Sequence, residues 1–78
     1  MEKSELLKLL GENIKKIRLE KGITQMDIVQ NIQGNIDATN ISRIEAGRTN
    51  PTVYTLHRIA EVLEVSVSEL ISFEKLET

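Results

Sequence analysis

Thr24-Gln25-Met26-Asp27-Ile28-Val29-Gln30-Asn31-Ile32, then Gln33-Gly34-Asn35, then Ile36-Asp37-Ala38-Thr39-Asn40-Ile41-Ser42-Arg43-Ile44-Glu45-Ala46-Gly47, is the stretch that decides the fold. It reads as two short helices with a turn between them. Thr24 fits an N-cap, and Asp27 three residues later puts a carboxylate in the first turn, where the helix dipole favours it. Ile28, Val29 and Ile32 make one apolar face, and the helix should end near residues 31–33. Gln33-Gly34-Asn35 is turn chemistry. Asp37 can cap a second helix that runs to about Ala46, with Gly47 closing it. Ile41 and Ile44 mark the inward side of that helix. At about 100° per residue, Thr39 and Arg43 fall nearly opposite, with Ala46 close to them and Ser42 flanking.

The flanks read as helices too. Residues 5–21 place Leu6, Leu10, Ile14 and Ile17 on one face, with Ser4 as N-cap and Gly22 just past the end. Gly11 weakens the interior of this helix by about 1 kcal/mol relative to alanine, which a close neighbour would explain. Downstream, Arg48-Thr49-Asn50-Pro51 is a loop, because the residue before a proline avoids the α region. Thr52 caps a fourth helix with Val53, Leu56, Ile59, Ala60 and Leu63 inward. Ser66-Val67-Ser68-Glu69 is a capping box for a short fifth helix that holds Leu70 and Ile71, with Val65 stapled onto Leu70. No period-two alternation is long enough for a strand. The expectation is an all-α chain of five helices around one core, a single domain over residues 1–78. Its core spans about 5–71, and 72–78 form a C-terminal tail.

Composition limits the function. The 78 residues contain no cysteine, so disulfides and thiolate metal sites are excluded. Apolar runs never exceed two residues, and the first ten residues lack the apolar centre of a signal peptide. A cytoplasmic location without membrane attachment is the expectation. With only Tyr54 and Phe73 as aromatics, a stacking platform for single-stranded nucleic acid is disfavoured. The net charge of −2 looks wrong for a nucleic-acid binder, but it is unevenly spread. Residues 15–58 carry net +3, while residues 59–78 carry −4. His57 and Glu61 stand four apart on one helix, yet no second histidine exists to complete a metal site. No phosphate-cradling glycine loop or nucleophile elbow is present, so neither catalysis nor a cofactor is expected.

Two short helices joined by a turn, between a longer helix and a supporting one, suggest a helix-turn-helix. The order Leu10-Gly11, Ile14-Lys15-Lys16-Ile17-Arg18, Gly22-Ile23-Thr24-Gln25, Ile41-Ser42-Arg43-Ile44-Glu45-Ala46-Gly47 and Pro51 makes this specific. Leu56, Ile59-Ala60, Leu63 and Val65-Ser66 continue it. Over roughly residues 10–71 the chain resembles the phage repressor/Cro-type (Xre-like) helix-turn-helix family. The resemblance implies a compact repressor-type domain that binds double-stranded DNA and regulates transcription, with its third helix in the major groove.

On that reading the base contacts come from Ala38, Thr39, Asn40 and Arg43. Arg43 can give guanine two hydrogen bonds, and Thr39 or Ala38 can meet a thymine methyl. Phosphate contacts are expected from Thr24 and Gln25 at the start of the second helix, from Ser42, from Arg48 and Asn50 in the loop, and from Thr52. The family pairs the positions of Arg18 and Glu45 in a largely buried salt bridge, so these two are assigned to structure. The chain departs from the family pattern at Gln33-Gly34-Asn35, where a single glycine is usual. The longer turn bears on the placement of the third helix and offers Asn35 to a phosphate.

One such module touches few bases, so a homodimer on a near-palindromic operator is expected, with half-sites about 34 Å apart. Its surface is expected in the fourth-to-fifth helix region and the tail, including Val67, Leu70, Phe73 and Leu76. An antitoxin that binds a toxin as well as DNA is the alternative, with Phe73 and Leu76 as the only arm.

Overall fold

The computed structural model describes residues 1–73. Among them are five helices and no strand: α1 (Lys3–Glu20), α2 (Gln25–Asn31), α3 (Ala38–Glu45), α4 (Val53–Leu63) and α5 (Val67–Leu70). Four of the five starts are side-chain caps. Thr24 accepts from the Asp27 amide and Ser66 from the Glu69 amide, each within a reciprocal capping box. Asp37 accepts from the Asn40 amide, and Thr52 from the Thr55 amide. These caps satisfy amides that a helix start leaves without partners. The Asp27 carboxyl accepts from the Thr24 amide at 2.8 Å, and this bond, with the Thr24 hydroxyl, holds its pKa below the ordinary carboxylate value.

The core is one cluster contributed by every helix. Ile14, Ile28, Ile41, Ile59, Leu63 and Leu70 are its largest fully buried side chains. Each such side chain contributes about 1.5–3 kcal/mol by leaving water. Helix α3 packs on α1 and α2, α4 packs on α2 and α5, and α5 returns to α1. The expected turn between α2 and α3 is present, and its two anchors Ile32 and Ile36 both join the core.

Gly11 shows why helix propensity yields to packing in α1. A Cβ there would stand 2.5 Å from the carbonyl oxygen of Glu45, and nearer still to that of Ile44. The close approach lets the last turn of α3 lie directly on α1. Gly22 and Gly47 adopt the left-handed backbone that ends α1 and α3. Glu64 does the same after α4 although it carries a side chain, and the Val65 amide then closes on the Ala60 carbonyl at 3.0 Å.

Several expectations fail at the ends of elements. Helix α1 begins at Lys3 after Glu2, whose side chain makes no cap bond, so Ser4 lies inside the first turn instead of capping it. Leu6 is 46% exposed. The loop after α3 lies against Lys8 and Leu7, as the approach of Gly47 shows, so Leu7 and Leu9 are the half-buried leucines at this level. Val53 opens α4 beyond the edge of the core and is 74% exposed. Helix α5 stops at Leu70, and Ile71 is its exposed C-cap. Leu70 itself is completely buried against the protein's own core, which removes it from the expected dimer surface. Val67 and Phe73 are half-buried on the same core, and Leu76 lies outside the described residues.

Candidate nucleic-acid interface

Helix α3 is two-sided. Ile41, Ile44 and Glu45 are buried, while Thr39, Asn40, Ser42, Arg43 and Ala46 are exposed and Ala38 is half-buried at the helix start. Thr39 and Arg43 are four residues apart, one above the other on the outward stripe. The capping bond from Asp37 uses the Asn40 backbone amide and leaves the Asn40 side chain outside it. The result is a helix surface of short polar groups around one long guanidinium, held rigidly because its other side is core.

The end of α1 is tied to the end of α3 by charge. Arg18 and Glu45 form a bidentate pair, Nε to Oε2 at 2.6 Å and Nη2 to Oε1 at 3.0 Å, with both residues 7% exposed. Arg18 Nη1 also donates to the Ile23 carbonyl at 3.0 Å. Gln25 Nε2 donates to Glu45 Oε1 at 3.0 Å. The side chain expected to meet phosphate is thus half-buried and fastened to Glu45, with one of its two amide protons in use. Arg18 spans two helices and the loop before α2, in keeping with its assignment to structure.

The loop after α3 is short and anchored. The Arg48 amide donates to the Arg43 carbonyl at 2.9 Å, so Arg48 starts beside the turn that carries Arg43. Arg48, Asn50 and Thr52 are all exposed, and the Thr52 hydroxyl serves its own helix as a cap. Neither Arg43 nor Arg48 enters an ion pair among the described residues. The caps and the buried pair occupy Asp27, Asp37 and Glu45, the acidic groups between residues 21 and 60. The net positive charge of the middle segment is therefore presented by side chains such as Arg43 and Arg48.

Two contacts had no counterpart in the sequence reading. Asn13 Nδ2 donates to the carbonyls of Leu70 at 2.7 Å and Glu69 at 3.1 Å, which docks the end of α5 on α1. Arg58 leaves α4 to reach the α2–α3 turn, donating from Nη1 to the Gln33 carbonyl at 2.9 Å. Both partners are more than twenty residues away in sequence, so no local pattern signals them. His57 and Glu61 approach to 3.5 Å as an exposed pair, and no group of three or more potential metal ligands gathers among the described residues. No helix there is long and apolar enough to cross a membrane.

Comparison with known proteins agrees with this geometry. An uncharacterized HTH-type transcriptional regulator, y4dJ of Sinorhizobium fredii, is 38% identical over 68 residues, covering 87% of this chain and 86% of that protein. The immunity repressor protein of Bacillus phage phi105 is 33% identical over 67 residues, covering 86% of this chain but 45% of the repressor. The chain thus spans less than half the length of that relative. Among solved structures, the restriction-modification controller protein C.Esp1396I, as a tetramer in complex with its natural 35 base-pair operator, is 40% identical. Its TM-score is 0.69, and the match covers 86% of this chain and 96% of that one. A family profile described as helix-turn-helix matches residues 14–70, and the chain belongs to that family.

Proposed function

We propose that this chain is a sequence-specific, double-stranded DNA-binding regulator of transcription that lays α3 in the major groove and acts as a homodimer on a near-palindromic site. The observation that carries it is the Thr39–Arg43 stripe, exposed on a helix whose opposite side is locked into the core by Ile41 and Ile44. A helix of this width fits the major groove, and residues near its N-terminal end reach base edges. Arg43 reads guanine through its fork, while Thr39, Ala38 and Asn40 contact neighbouring bases. Arg48, Asn50, Thr52 and Ser42 meet phosphates, together with Thr24 and the remaining amide proton of Gln25. These contacts set register and supply most of the salt dependence. The named activities of the relatives, repression by the phage protein and operator binding by the controller tetramer, support the same reading. The chain works by binding and needs no cofactor.

The test is enrichment of a duplex from a random double-stranded pool, followed by anisotropy titration of the enriched and scrambled duplexes across a salt series. We expect the enriched duplex to bind at least about a thousandfold more tightly than the scrambled one. Its log affinity should fall linearly with log salt, with slope about −0.9 per phosphate contacted. A pool in which no sequence is enriched contradicts the reading.

A further inference from the structure

The connection between α2 and α3 runs over six residues, Ile32 to Asp37. Its ends are secured by Ile32 and Ile36 in the core and by the Asp37 cap. Its middle, Gln33, Gly34 and Asn35, is exposed and polar. Among the described residues, Arg58 makes the only hydrogen bond that residues 33–36 receive or give, from Nη1 to the Gln33 carbonyl. The guanidinium is held for that contact. It lies over the Tyr54 ring, 5.0 Å from its centroid, and Nη2 leans on Thr55 Oγ1 at 3.4 Å. Gly34 takes φ +83°, and a Cβ there would come within 3.0 Å of Arg58 Nη1, so the turn has closed down on the guanidinium. Arg58 Nε is buried without a partner, a cost that a surface arginine would avoid by turning to water. Helix α3 packs on α1 and α2, so this bond is a separate tie from α4 to the segment that leads into α3.

We infer that Arg58 is a positioning residue for DNA reading: by clamping the Gln33 carbonyl it fixes the turn and so sets how the first residues of α3, Ala38 to Asn40, present to base edges. The inference rests on the DNA-binding reading of α3. Arg58 touches no base in this account. It selects sequence by holding one orientation of the helix, since a base contact misplaced by about an ångström loses its geometry.

The test titrates wild type, Arg58→Ala and Arg58→Lys against the duplex enriched by wild type and against its scramble, at several salt concentrations. Circular dichroism first establishes that each variant is folded at the titration temperature. Arg58→Ala should bind the enriched duplex about tenfold more weakly, the loss of one base contact, while the scramble changes less than about twofold. The salt slope should stay at the wild-type value, because no phosphate contact is removed. Arg58→Lys keeps a donor but no fork or planar stack, and should show a smaller loss of the same kind. If Arg58→Ala does not fold, Arg58→Lys carries the comparison alone. A folded variant with an unchanged ratio between the two duplexes overturns the inference and leaves Arg58 a stabilising residue only. Equal losses on both duplexes, with a slope shallower by about one unit, overturn it too and make Arg58 a phosphate contact. If wild type enriches no sequence, the DNA reading fails first and takes the inference with it.

Discussion

Glu45→Ala is expected to destabilise the protein by about 3–5 kcal/mol, which consumes most of the stability available to a chain this small. The carboxylate accepts from Arg18 Nε, Arg18 Nη2 and Gln25 Nε2, all at 3.0 Å or less. Its removal leaves the Arg18 guanidinium buried with the Ile23 carbonyl as its remaining partner. An unpaired buried charge is the costly outcome, more than the loss of the attraction itself. The double variant Arg18→Met/Glu45→Leu removes both charges and should recover most of the loss, because apolar replacement of a buried pair is often neutral. Urea denaturation of Glu45→Ala, Arg18→Ala and the double variant measures this. Equal losses in the single and double variants would show that the pair itself, and not the stranded charge, carries the energy. Arg18→Ala strands the opposite charge and should fall in the same range as Glu45→Ala.

Gly11→Ala is expected to cost about 3 kcal/mol, against the sign that helix propensity gives. In an exposed helix interior the same change stabilises by about 1 kcal/mol. Here the new methyl group meets the backbone carbonyls of Ile44 and Glu45, which cannot swing aside as a side chain would. Relief requires α3 to lift from α1, and that displaces Glu45 relative to Arg18. Thermal melts report the sign directly. A variant more stable than wild type would mean that the two helices are less closely seated than described. The affinity of Gly11→Ala for the enriched duplex should fall along with its stability, since α3 is the helix that moves.

Four of the five helix starts were legible in the sequence because their caps are local: Thr24 with Asp27, Asp37, Thr52, and Ser66 with Glu69 each lie within three residues of the amides they satisfy. The inward faces of α2, α3 and α4 were legible from Ile28, Ile41, Ile44, Leu56, Ile59 and Leu63, because periodicity fixes which side of a helix is apolar. Periodicity does not say how far the neighbouring elements extend. Leu6 and Val53 continue the apolar stripes of their helices past the end of the core and stand in water. Leu70 was expected on a partner-facing surface with Val67 and Phe73, but the Asn13 side chain docks the end of α5 on α1, and Leu70 is fully buried there. The site divides in the same way. The outward stripe of α3 follows from helix geometry alone. The attachment of Gln25 to Glu45 and the reach of Arg58 to Gln33 depend on tertiary neighbours, which spacing does not encode.

In the proposed complex the exposed stripe of α3 reads bases while the loop after it grips the backbone. Titrating Arg43→Ala and Arg48→Ala side by side on the enriched and scrambled duplexes over a salt series separates these two roles. Arg43→Ala should lose about 1–3 kcal/mol on the enriched duplex and little on the scramble, flattening sequence preference. Arg48→Ala should weaken both duplexes alike and reduce the salt slope by about 0.9. Equal losses from both variants on every sequence would mean that Arg43 and Arg48 do not divide base reading from backbone grip.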